Sequence, residues 1–248
     1  MSIFILLISC VIPCMKENLN KKYKVDPLQF MNIKTPEVSY ILGLIWADGY
    51  VYPKKNRNFV NIECIKEDLE TLKDVFLKTG EWNISYRNLL KKDNINRKPQ
   101  MKIETSNKPL IKFLIKNDYK VKSSFSADKI LNKIPDNLKK YWFRGLIDGD
   151  GCFYINEKYK CNQFSVASSY EQDWFFLEKL CKKLNIKYKI CRKIQKRKNN
   201  LSDTKNSLLR ITNKKDITKL GNYIYDTFEY DNIGLKRKYN KFLKIKNN

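Results

Sequence analysis

Two carboxylates, Asp48 and Asp150, close two nearly repeated segments, ILGLIWADGY at 41–50 and FRGLIDGDGC at 143–152. Gly43 pairs with Gly145, Leu44 with Leu146, Ile45 with Ile147, Asp48 with Asp150 and Gly49 with Gly151, each pair 102 residues apart. One Asp-Gly at a helix end is an ordinary turn. The same pair at matched positions of a repeat suggests a paired site. Read as helices, the segments place Gly43 and Ala47 on one face, and Gly145 and Gly149 likewise. Such small-residue stripes let two helix backbones approach closely. The acids then meet at the helix C-termini, where Gly49 and Gly151 supply the terminating residue. A carboxylate there faces the negative end of the helix dipole, and two together repel. A divalent cation relieves both costs. Hard oxygen donors and a chain without histidine favour Mg²⁺ over Zn²⁺. Asp148, matched by Trp46, is read as a solvated or polar-network acid with no catalytic role.

The charge names the partner class. Fifty Lys and Arg against 26 Asp and Glu give +24 over 248 residues, a field that recruits polyanions, nucleic acid above all. No long basic amphipathic stretch supports a membrane surface instead. The absence of histidine removes Ser-His-Asp hydrolases and His-based metal or nuclease sites. Seven cysteines without a C-x-x-C pair read as free thiols in a reducing compartment, with Cys64, Cys152 and Cys181 as buried small hydrophobes.

These acids need elements to hold them. Residues 1–25, with their apolar run from Ile3 to Met15, are set aside as an extension, either upstream coding sequence or a start placed ahead of Met15. In the first half, 26–118, Thr35-Pro36-Glu37 opens a helix over 36–48. Strands are expected at 50–53 and 59–64, a helix at 66–78, strands at 82–90 and 101–105, and a helix at 109–117. Residues 119–137 read as a linker. The second half, 138–248, repeats the order. It has helices at 138–149 and 170–184, strands at 152–156, 163–167, 187–194 and 207–212, and closing helices at 216–227 and 234–245. Trp174, Phe175 and Phe176 read as core. The fold class is α+β, with two pseudo-symmetric αββαββα halves joined at their motif helices. The basic turns at matched hairpin tips are candidate DNA contacts: Lys54, Lys55 and Arg57; Lys91, Lys92, Arg97 and Lys98; Lys193, Lys196, Arg197 and Lys198.

GLIWADG and GLIDGDG resemble the two signature motifs of the single-chain LAGLIDADG homing endonucleases, and GLKRKYNKF at 234–242 is similar to their C-terminal helix. The resemblance spans about residues 36–246. It implies antiparallel saddle-shaped sheets lying over the DNA major groove, where base pairs are distinguishable, with metal bound by Asp48 and Asp150. It implies help from the backbone carbonyls of Ala47 and Gly149. Lys102 and Arg210, in the last strand of each half, are candidates for stabilising the transition state. The implied activity is Mg²⁺-dependent double-strand cleavage of a long DNA site by a monomer, leaving 3′ overhangs. The gene would lie within an intron, and Lys/Asn/Ile bias favours a mitochondrion or plastid. The alternative within the same family is an RNA maturase that binds its host intron RNA.

Overall fold

The computed structural model describes residues 25–53, 58–87, 99–158, 161–195 and 203–247. The first half runs α1 (Pro27–Asn32), α2 (Pro36–Asp48), β1 (Gly49–Pro53), β2 (Asn58–Ile65), α3 (Lys66–Leu77), β3 (Asn83–Arg87), β4 (Gln100–Thr105) and α4 (Lys108–Lys116). A short α5 (Asp128–Leu131) follows. The second half runs α6 (Lys139–Asp150), β5 (Gly151–Asn156), β6 (Cys161–Ser169), α7 (Phe175–Lys183), β7 (Lys189–Gln195), β8 (Thr204–Ile211), α8 (Lys214–Tyr225), α9 (Phe228–Asp231) and α10 (Lys236–Asn247). Each half carries a four-stranded antiparallel sheet, ordered β1-β2-β4-β3 and β5-β6-β8-β7. The fold is therefore α+β with two matching halves, as the repeat suggests. Among the described residues no helix is long and apolar enough to cross a membrane.

Helix α2 forms as its sequence dictates. Thr35 Oγ1 accepts from Val38 N–H, Pro36 takes the first turn, and Glu37 favours the positive dipole end. Val38 to Trp46 are all buried, so α2 is a core helix rather than an amphipathic one. Its partner is α6, and the glycines set their separation. A Cβ on Gly43 would lie 1.9 Å from the Trp142 carbonyl oxygen. A Cβ on Gly145 would lie 2.1 Å from that of Tyr40. The two contacts are the same contact related by the internal two-fold. Lower down, a Cβ on Gly149 would meet the Cβ of Ala47 at 2.4 Å. The small-residue stripes thus seat backbone on backbone.

The sheets flank this helix pair, with alternate residues turned to the core. Val51, Val60, Ile62, Met101 and Ile103 face inward in one sheet, and Phe153, Phe164, Val166, Leu209 and Ile211 in the other. The opposite face of the first sheet presents Tyr50, Tyr52 and Phe59, with ring centroids 5.1–6.3 Å apart.

Several sequence expectations need correction. Gly49 and Gly151 end their helices in extended conformation, not left-handed. They are glycines for space: a Cβ would lie 2.5 Å from the carbonyl oxygen of Ile45 or Ile147. Cys152 is exposed, because alternation along β5 turns it away from the core. Phe175 is exposed too, under the Lys179 ammonium, whereas Trp174 and Phe176 are buried. Helix α7 starts five residues later than expected, since Gln172 is spent on the preceding loop, donating to the Phe125 and Asp173 carbonyls. The 119–137 segment is no loose tether. Tyr119, Ala127, Ile130, Leu131 and Ile134 are buried in it. Val25, placed in the extension, is buried, and its carbonyl accepts from Asn107 Nδ2 at 2.9 Å.

Candidate active site

Helices α2 and α6 end side by side, which brings Asp48 and Asp150 together. Asp48 Oδ2 lies 2.9 Å from the point that a Gly149 Cβ would occupy. Any larger residue at 149 would push the first acid away. Burial raises the Asp150 carboxyl above the ordinary range, and the Asp48 charge raises it further. Burial raises Asp48 as well. Lys122 and Lys238 pull both back down.

Those two lysines are the residues that sequence reasoning missed. Lys122 Nζ donates to the carbonyl oxygens of Ile45 at 3.0 Å, Ala47 at 2.5 Å and Gly49 at 2.8 Å. Lys238 Nζ donates to those of Ile147 at 3.4 Å and of Gly151. Each ammonium thus caps the C-terminus of one motif helix, where unsatisfied carbonyls and the negative dipole end favour a cation. This offsets the broken rule noted in the sequence. Both side chains are largely buried, and burial lowers both pKa values against the raising effect of nearby aspartates. No local pattern singles them out, since Lys-x-Lys also occurs at 22–24, 158–160, 187–189, 196–198 and 244–246.

The expected basic residues lie elsewhere. Lys102 Nζ forms an ion pair with Glu104 at 2.5 Å and sits 5.3 Å from the Phe59 ring centroid. Arg210 lies on β8 opposite Ser165 and Lys189, and its Nε is buried without a hydrogen-bond partner. Strand alternation directs both onto the outer sheet faces, so Lys122 and Lys238, not Lys102 and Arg210, are the cations beside the acids. The Ala47 carbonyl, expected to face a metal, accepts from Lys122. Lys193 is exposed on β7, paired in register with Asn206. Lys54, Lys55, Arg57, Lys91, Lys92, Arg97, Lys98, Lys196, Arg197 and Lys198 lie outside the described residues.

The donor set fits a hard divalent cation. Two carboxylates converge, and among the described residues no group of three or more His, Cys, Asp or Glu is placed to hold a metal. Asp48 and Asp150 are the residues that would hold such an ion, which would supply positive charge beside a bound phosphate. A cavity of about 60 Å³ between Lys122 and Asp150, bounded by Trp46 and Gln172, has room for a water beside them.

Asp148 belongs to a different structure, the polar network. It is 2% exposed and accepts from Tyr40 Oη at 2.9 Å, Tyr225 Oη at 2.8 Å and the Leu235 N–H at 2.7 Å. Burial pushes it up to about 6, against the lowering effect of those three donors.

With this geometry in view, residues 137–225 match the family model for the LAGLIDADG-like domain. That match falls on the second copy of the repeat. Most of the chain shares its fold with a solved homing endonuclease. The homing endonuclease I-WcaI bound to its DNA recognition sequence superposes with a TM-score of 0.53 at 18% identity, covering 87% of this chain and 91% of that one. I-SmaMI, bound to uncleaved DNA target in the presence of calcium ions, gives 0.42 at 16% identity, over 86% and 98%. The LAGLIDADG meganuclease I-AabMI bound to uncleaved DNA gives 0.46 at 17%, over 85% and 89%. No curated protein matches the chain in sequence. Helices α2 and α6 carry the two copies of the repeated motif, with Asp48 and Asp150 closing them.

Proposed function

We propose that this protein is a site-specific, metal-dependent DNA endonuclease of the homing type, with one LAGLIDADG half at 26–118 and the other at 138–248. One observation carries the reading. Two carboxylates meet at the ends of two helices packed backbone to backbone, each end is capped by a lysine (Lys238 buried, Lys122 half-buried), and the whole lies between two sheets on a chain of +24. The homing endonuclease I-WcaI, which shares this fold, was solved bound to its DNA recognition sequence, which supports the same partner here.

Asp48 and Asp150 would hold the cation, which when bound polarises phosphate oxygens and stabilises the charge that develops on the leaving oxygen. The chain supplies the rest. Lys122 and Lys238 bring positive charge to the edge of that centre, where an ammonium fixed in place stabilises a phosphorane-like charge without reorganising. The pocket of about 60 Å³ beside Asp150 and Lys122 has room for the attacking water next to the acids. The outer faces of the two sheets align the duplex so that one phosphate of each strand reaches the acids. We infer that the enzyme acts as a monomer with Mg²⁺ on a target interrupted by its host intron.

The test is selection of cut sequences from a randomised duplex library with Mg²⁺. Wild type should enrich one long site and cut both strands. Asp48→Asn and Asp150→Asn should each abolish cleavage and leave binding of that site within about threefold, since a lost carboxylate removes chemistry rather than contact area. Cutting by the double variant overturns the site. Binding confined to the host intron transcript assigns the protein to RNA instead.

A further inference from the structure

Positions 46 and 148 are matched in the repeat yet carry unrelated residues, and each touches the segment that delivers its half's lysine. Lys122 follows Tyr119 by three residues, and Lys238 follows Leu235 by three. In the first half the Trp46 ring packs edge-on against Tyr119, centroids 5.0 Å apart. Tyr119 Oη donates to the Leu42 carbonyl at 3.1 Å and accepts from Trp142 Nε1 at 3.4 Å. In the second half Asp148 takes the Leu235 N–H directly. Leu235 immediately precedes α10, so this carboxylate acts as an N-terminal cap lent by another helix, where a negative charge suits the dipole. Gly234 makes the approach possible: its φ is +128°, and a Cβ there would lie 2.8 Å from Asp148 Oδ2. One turn later Lys238 reaches the α6 carbonyls. Tyr40 from α2 and Tyr225 from α8 fix the carboxylate itself.

We propose that Trp46 and Asp148 are equivalent positioning residues, each setting the lysine of its own half, one by aromatic packing and the other by a buried carboxylate cap. The placement stands on contacts alone. Its consequence, that the two strand cuts can be weakened separately, rests on the endonuclease reading. Burying an acid amid apolar side chains is costly, and a packed aromatic would fill the space, as position 46 shows. The N–H of Leu235 is what an aromatic could not satisfy.

The first arm of the experiment is lysine acylation of the folded protein, read by peptide mass spectrometry. Asp148→Leu should raise labelling of Lys238 by about fivefold or more while Lys122 keeps its wild-type rate, because only the α10 start is freed to open locally. Asp148→Asn, which keeps an oxygen for the Leu235 N–H, should restore protection. Trp46→Leu should do the converse, exposing Lys122 and sparing Lys238. Should Asp148→Leu fail to fold, Trp46→Leu carries the test from the other half. The second arm is cleavage of the selected site. Asp148→Leu should accumulate nicked duplex, with one strand slowed by about tenfold or more, equivalent to a barrier rise of roughly 1.4 kcal/mol. Equal labelling changes at both lysines, or none, overturn the proposal. A wild type that cuts no duplex while labelling behaves as described overturns the nuclease reading and leaves the positioning intact.

Discussion

At the residue scale, glycines and one buried acid control the centre. Gly43→Ala forces a Cβ to 1.9 Å from a backbone oxygen that no rotamer change can move. The helices must part, and overpacking of this kind costs about 3 kcal/mol or more. Denaturant titration should show the lower midpoint, and cleavage should fall further than folding because Asp48 and Asp150 separate. Asp148 predicts a pH effect with a definite sign. Its folded pKa of about 6 lies above the usual carboxylate value of about 3.9. The folded state therefore holds the proton more tightly than the unfolded one. The stability this group contributes is present in full below about pH 4 and is lost as pH rises through about 6. Asp148→Asn mimics the protonated form and escapes that loss. Relative to wild type, it should gain up to about 3 kcal/mol between pH 4 and pH 7. Parallel unfolding curves at the two pH values would decide it; a gap that shrinks with pH would refute the assignment. The repeated acids were legible in the sequence because two copies of one motif exclude coincidence. The role of Asp148 was not, since its three donors come from α2, α8 and the start of α10, and no spacing rule links residues 40, 148, 225 and 235.

At the element scale, the helix C-terminus is the working unit. Carbonyls around the ends of α2 and α6, those of Ile45, Ala47 and Gly49 and those of Ile147 and Gly151, draw in Lys122 and Lys238, and those ammoniums stand beside the acids. Lys122→Met keeps the length and apolar stem but removes the charge and three hydrogen bonds. Loss of one fixed charge-stabilising donor should lower cleavage by about 10²–10³, while gel-shift affinity for the same duplex changes little. Equal loss of binding and cleavage would make the lysine a docking residue instead. Here lies the limit of what periodicity conveys. Helices α2, α3, α4 and α6 fall within a residue or two of their expected spans because caps and apolar spacing are local. The 119–137 segment has neither signal and reads as a linker. Its order comes from tertiary contacts, Tyr119 on Trp46 and Leu42, that a one-dimensional pattern does not carry. Strand position alone does not say which face a basic residue takes. Alternation in the sheets puts Lys102 and Arg210 on their outer faces.

At the scale of the whole molecule, the two halves match in backbone, and among the described residues their sheets carry charge differently. The outer face of β7 and β8 carries Lys189, Lys193 and Arg210, with Lys189 and Lys193 exposed. On the first sheet, Lys102 is already paired with Glu104, and Tyr50, Tyr52 and Phe59 lie beside it. Phosphate neutralisation releases counterions only where a cation is free to make it, with a slope in log affinity against log salt of about 0.9 per contact. The two sheets should therefore contribute unequally to the salt dependence. Lys189→Gln with Lys193→Gln should flatten that slope by about 2 on any duplex, specific or not. Lys102→Gln should change it by well under 1, because the wild-type ammonium gives up an ion pair before it can meet a phosphate. Fluorescence anisotropy over a salt series measures both slopes on one labelled duplex. Equal changes from the two sheets would mean that DNA binding breaks the Lys102–Glu104 pair at no cost, and that the charge asymmetry between the halves is without consequence for how the duplex is held.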